Sequence, residues 1–89
     1  MRAIVTVLGK DQVGIIARIS GALAAHKVNI LDLSQTVMQD YFTMIMLVDL
    51  AEMSVSFQEL NDMLAATGKA LGMQILVQRE DIFQAMHHI

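Results

Sequence analysis

The sequence predicts an α+β domain in which two helices cover one face of an antiparallel sheet, in the order βαββαβ with one added C-terminal helix. Two observations carry this. The apolar period switches along the chain between about 2 and about 3.6 residues, the strand and helix signatures. The 89 residues, 55% hydrophobic and 17% charged, suit one domain built on one core. Residues 1–89 are therefore read as a single domain, with a βαββαβ core over 2–79 and the added helix over 80–89.

Ala3-Ile4-Val5-Thr6-Val7-Leu8 is short, apolar and β-branched, a buried strand that Gly9 is expected to close. Lys10 to Gly14 reads as a polar loop, after which Ile15, Ile19, Ala22 and Leu23 recur at helical spacing as far as His26. His26 and Lys27 fall in the last turn, where positive charge complements the helix dipole. Val28 to Met38 and Tyr41 to Leu50 then form two arms of a hairpin that turns at Gln39-Asp40. In the second arm Phe42, Met44, Met46 and Val48 share one face, with Ile45 and Leu47 on the other.

Ser56-Phe57-Gln58-Glu59 matches a capping box and predicts the start of the second helix. Phe57, Leu60, Leu64 and Leu71 continue its apolar stripe, and Gly72 supplies a left-handed stop. Met73, Ile75 and Val77 alternate in a fourth strand. Glu80-Asp81 opens the last helix, whose apolar positions are Ile82, Met86 and Ile89. Apolar residues on both faces of the first and third strands predict that the second sheet face is also covered, by this helix, by a second copy or by both.

Composition narrows the function. Six Lys and Arg against nine Asp and Glu give a net charge of −3, the wrong sign for neutralising a phosphate backbone, so no nucleic-acid partner is expected. The absence of cysteine removes disulfides, thiolate metal sites and a thiol nucleophile. No apolar run approaches the roughly 20 residues needed to span a bilayer, and the N-terminus lacks the features of a signal peptide; the expectation is a soluble, cytoplasmic protein with no membrane partner. No P-loop, dinucleotide fingerprint or Ser-His-Asp set is present, so neither a cofactor nor an enzymatic activity is expected. A surplus of apolar surface on so small a chain favours an oligomer.

Two segments are candidates for binding. Asp11-Gln12-Val13-Gly14 precedes the first helix, whose free N–H groups and positive dipole end suit a carboxylate. Gly14 permits close approach and Asp11 offers an acceptor for an ammonium or hydroxyl group, although both residues equally suit a cap and a turn. Asn29, followed by Ile30, begins the second strand and supplies an amide. His87 and His88 are adjacent, diverge by about 100° on a helix and do not suit one metal ion. Asp49 with Glu52, and Glu80 with Asp81, read as solvated element ends in preference to paired catalytic carboxylates.

The combination Gly9-Lys10-Asp11-x-x-Gly14, a small-residue helix containing Leu23-Ala24, and Val28-Asn29-Ile30 resembles the ACT domain, a ligand-binding regulatory module of ferredoxin-like βαββαβ fold. The resemblance spans residues 2 to 79. Ser34-Gln35-Thr36, Tyr41-Phe42-Thr43-Met44 and the tail Ile82-Phe83-x-x-Met86-x-x-Ile89 are similar to small stand-alone ACT proteins and to the modules of the glycine cleavage system repressor. It implies an amino acid bound at the seam of a homodimer and a partner enzyme or regulator. The implied ligand residues are Asp11, Gln12, Val13, Gly14, Ile15, Asn29 and Ile30. Serine-binding members place a histidine and an asparagine ahead of the glycine; here Gly9 and Asp11 stand there, and Asn29 retains the asparagine of the second strand. A ligand-free dimerisation or docking module is the alternative. Acylphosphatases are similar in size and strand order, but Arg18 falls a turn into the helix and Asp11 would repel a phosphate.

Overall fold

A computed structural model of the chain describes residues 1–10 and 12–82. Its elements are β1 (Arg2–Lys10), α1 (Ile15–Ala25), β2 (Asn29–Met38), β3 (Tyr41–Asp49), α2 (Phe57–Leu71) and β4 (Met73–Arg79). They form one antiparallel sheet in the order β2-β3-β1-β4, so β2 and β4 are its edges. This is the ferredoxin-like arrangement expected from the periodicity. Glu80 to Ile82 begin a further helical turn, and the rest of the expected C-terminal helix, with Phe83, Met86, His87, His88 and Ile89, lies outside the described residues. No helix among the described residues is long and apolar enough to cross a membrane.

The two faces of the sheet differ. Ala3, Val5 and Val7 of β1 and Phe42, Met44, Met46 and Val48 of β3 meet Ile15, Ile19 and Leu23 of α1 and Leu60 and Leu64 of α2 in one core. Register fixes the opposite set, because residues paired across strands share a face. Thr6 therefore lies beside Ile45 and Leu76, and Ile4 beside Leu47. Leu8, Ile45 and Leu76 remain 46%, 42% and 54% exposed, while Ile4 on the same face is 9% exposed. Among the described residues this face carries no covering helix. The start of β1 is tied to the residue just after β4, where the Arg2 guanidinium contacts the Glu80 carboxylate at 2.7 Å.

Gly9 does not close β1 as the sequence suggests. The strand continues to Lys10 because Gly9 pairs with Phe42 on one side and Met73 on the other. A Cβ there would press on the Met73 sulfur and lie 3.3 Å from the Gly72 carbonyl, so glycine admits a close neighbour without ending the strand.

The helix ends follow local chemistry. Ser56 caps α2 by accepting from the Glu59 N–H at 3.1 Å, and Gly72 ends the helix at φ 70. Replacing Ser56 with alanine removes this acceptor and is expected to cost about 1 kcal/mol, read as a lower urea midpoint at unchanged slope. At the end of α1 the Lys27 N–H donates to the Ala24 carbonyl and the Val28 N–H to the Leu23 carbonyl, both at 3.0 Å. These are the two bonds of a Schellman motif, and they place Lys27 at the left-handed position with φ 59.

Candidate ligand site

The β1–α1 loop forms the first half of the candidate site. Gly14 stands at the N-cap of α1 with φ 84 and no side-chain cap bond, a conformation that glycine adopts without steric cost. The first turn of α1 therefore leaves backbone N–H groups without helical acceptors, in keeping with an anion site. Gln12, although exposed, is engaged within the chain: its Nε2 donates to the Leu71 carbonyl at 2.6 Å, tying the loop to the last turn of α2. Val13 is fully exposed and Ile15 is buried in the core. Asp11 lies outside the described residues. Gln12, Gly14, Ile16, Gln35, Val37 and Phe42 border a shallow concavity of about 230 Å³.

Asn29 and Ile30 are elsewhere. Asn29 begins β2 and pairs with Asp49, whereas the loop adjoins Val37 near the other end of the same strand. At about 3.3 Å per residue those positions lie roughly 25 Å apart. Ile30 faces the helices and packs against the core, away from any opening over the loop. One chain thus brings Gln12, Gly14 and Ile15 together but leaves Asn29 and Ile30 apart from them. The separation follows from the length of β2, which carries the chain from one end of the sheet to the other.

A second and larger concavity, about 570 Å³, surrounds Asn29. Its polar lining consists of Lys27, Asn29, Asp49 and Glu52, with Ala24 and Val28 among its apolar walls. The Ser54 N–H donates to the His26 carbonyl at 3.0 Å and the Met53 N–H to the Leu50 carbonyl at 3.1 Å, so the β3–α2 connection is fastened to the end of α1. The Asp49 carboxylate accepts from the Ala51 N–H at 2.9 Å. Sequence reasoning assigned Lys27 to the helix dipole and Asp49 and Glu52 to solvated ends. The register Asn29↔Asp49 is what assembles them, a consequence of the hairpin turning at Gln39-Asp40.

Arg18 is in α1, where its N–H donates to the Gly14 carbonyl at 3.0 Å, one turn beyond the loop. Among the described residues no three His, Asp or Glu side chains assemble into a metal-binding group.

The βαββαβ sandwich with a glycine-bearing loop before α1 defines a small ferredoxin-like α+β module. The chain belongs to the ACT-domain family, whose sequence profile matches residues 2–78. It is 55% identical over 89 residues to a UPF0237 protein of Clostridium acetobutylicum, covering 100% of both chains. An ACT domain protein from Streptococcus pneumoniae superposes with a TM-score of 0.82 at 42% identity, over 93% of each chain. A putative glycine cleavage system transcriptional repressor shares the fold, with a TM-score of 0.75 at 19% identity over 88% of this chain and 44% of its own.

Proposed function

We propose that the chain is a homodimeric sensor that binds a free amino acid between two protomers and passes its state to a partner enzyme or regulator, without making or breaking a bond. The observation that carries this reading is the position of β2 as a free edge with candidate binding residues at its two ends. Two such edges joined antiparallel about a two-fold axis exchange N–H and C=O pairs along their length. That symmetry sets the Asn29 end of one protomer beside the Gly14 loop of the other. It brings together, across the seam, residues that one chain holds roughly 25 Å apart. Free N–H groups of α1 then face the ligand carboxylate while Asn29 of the second protomer completes the polar contacts. The ligand shifts the arrangement of protomers by binding one arrangement better than the other.

The test is a thermal-shift screen against individual L-amino acids, with light scattering to count protomers. An amino acid that binds only the folded dimer raises its stability by about 2.7 kcal/mol at 100 times the dissociation constant. A saturable response from one amino acid or a small related group, on a dimer, is the expected result. A flat screen on a clean dimer would favour a docking module, and a monomer at all concentrations would remove the shared site.

A further inference from the structure

The sheet face opposite α1 and α2 has an uncharged centre. β1 presents Ile4, Thr6 and Leu8 there, and the positions paired with them in β3 and β4 are leucine, isoleucine, threonine or glutamine. The chain leaves β4 on this side. Glu80 starts a helical turn, and its carboxylate meets the Arg2 guanidinium at 2.7 Å. By strand alternation Arg2 shares the face of Ile4, so the contact draws the chain from the edge strand β4 over the open face toward the central strand β1. Burial is graded in the same direction: Ile4, next to Arg2 on this face, is 9% exposed, whereas Leu8 at the far end is 46% exposed. Ile82, where the described turn ends, is 49% exposed.

We infer that the open face is the docking surface for the chain's own C-terminal segment, residues 83–89, laid from β4 across β1 to β3. Ile82, Phe83, Met86 and Ile89 stand at i, i+1, i+4 and i+7, the spacing of one apolar helix stripe, with Gln84, His87 and His88 on the other side. Ten helical residues from Glu80 span about 15 Å, and two strand spacings carry them from β4 to β3 in about 10 Å. The length therefore matches the crossing. A second copy suits the face less well. Four strands at about 4.8 Å spacing and about 20 Å of paired length make a face of roughly 400 Å², so two copies stacked on it bury about 800 Å² in all, short of the roughly 1,200 Å² of a stable interface. A tail docked in this way leaves the β2 edge open to a partner protomer, and it does so whether or not a ligand binds.

The chain contains no cysteine, so a pair of thiols can be introduced into it without background. Leu47→Cys with Ile89→Cys, treated with a short bis-maleimide, is expected to give a product of one-chain mass by denaturing mass spectrometry. Gln58→Cys with Ile89→Cys, whose first thiol lies on the exposed side of α2, should give no such product. Independently of any thiol, Met86→Asp should lower the melting temperature, while His87→Asp on the opposite side of the stripe should leave it unchanged. A product of two-chain mass from the Leu47 pair would assign the tail to a second copy and overturn the inference. So would no product from that pair, equal yields from both pairs, or a Met86→Asp variant that melts with the wild type.

Discussion

Leu64→Ala is expected to destabilise the fold by about 3 kcal/mol. Leu64 projects from α2 into the core and is 0% exposed, with Leu60 and Leu71 on the same stripe and the β1 and β3 side chains opposite. Truncation removes its transfer free energy and leaves a cavity whose walls are anchored to a hydrogen-bonded sheet, so collapse is limited. Alanine's better helix propensity returns only a few tenths of a kcal/mol. In a domain of this size the loss corresponds to roughly 15 °C in Tm. A loss below about 1 kcal/mol by chemical denaturation would mean that the core refills the space and that α2 is not held rigidly on the sheet.

Gly68→Ala tests the approach of α2 to β4. Helix propensity alone predicts a gain of about 1 kcal/mol, because Gly68 lies within α2 and alanine is the best helix former. Packing opposes it. A Cβ on Gly68 would lie 2.8 Å from the Met73 carbonyl oxygen and 3.0 Å from Ile75 Cγ1. The nearer atom belongs to the backbone of β4, which is hydrogen-bonded to β1 from Met73 onward and cannot swing aside as a side chain tip can. Overpacking of this kind costs about 1–3 kcal/mol, so the net expectation is a destabilisation of up to about 2 kcal/mol. The distinguishing measurement is equilibrium unfolding in urea; a variant more stable than wild type would show that the α2–β4 contact yields and that propensity prevails.

Much of the architecture is legible in the residues themselves. The alternation of Phe42, Met44, Met46 and Val48 with Ile45 and Leu47 separates the two faces of β3, and the structure buries the first set and leaves Ile45 exposed within one chain. Ser56 with Glu59, and Gly72, mark both ends of α2, since each cap is satisfied within a few residues. Gly9 misleads for a tertiary reason. Glycine is a turn signal in isolation, but here it accommodates the Met73 side chain from an adjoining strand, a neighbour that lies far away in sequence. The α1 terminus is obscure for the converse reason: no glycine announces its left-handed stop, because Lys27 occupies it.

The candidate site divides along the same line. Gly14 and the start of α1 can be recognised locally, because an exposed helix N-terminus after a short loop requires only its own sequence. What the loop does beyond that depends on distant partners. Gln12, read as a ligand contact, donates to Leu71, fifty-nine positions further on. Asn29, read beside the loop, begins a strand that ends near it. Lys27, Asn29, Asp49 and Glu52 meet because β2 and β3 pair in one register and the β3–α2 connection returns to α1.

The order of elements, the pairing of side chains by face and the caps of α2 are written into the residues, because each is set by interactions spanning a turn of helix or two steps of strand. The separation of the two parts of the expected ligand site within one chain, and the larger polar concavity around one of them, arise from the assembled sheet. Those outcomes depend on strand order, register and length acting together, and no short stretch of residues encodes them.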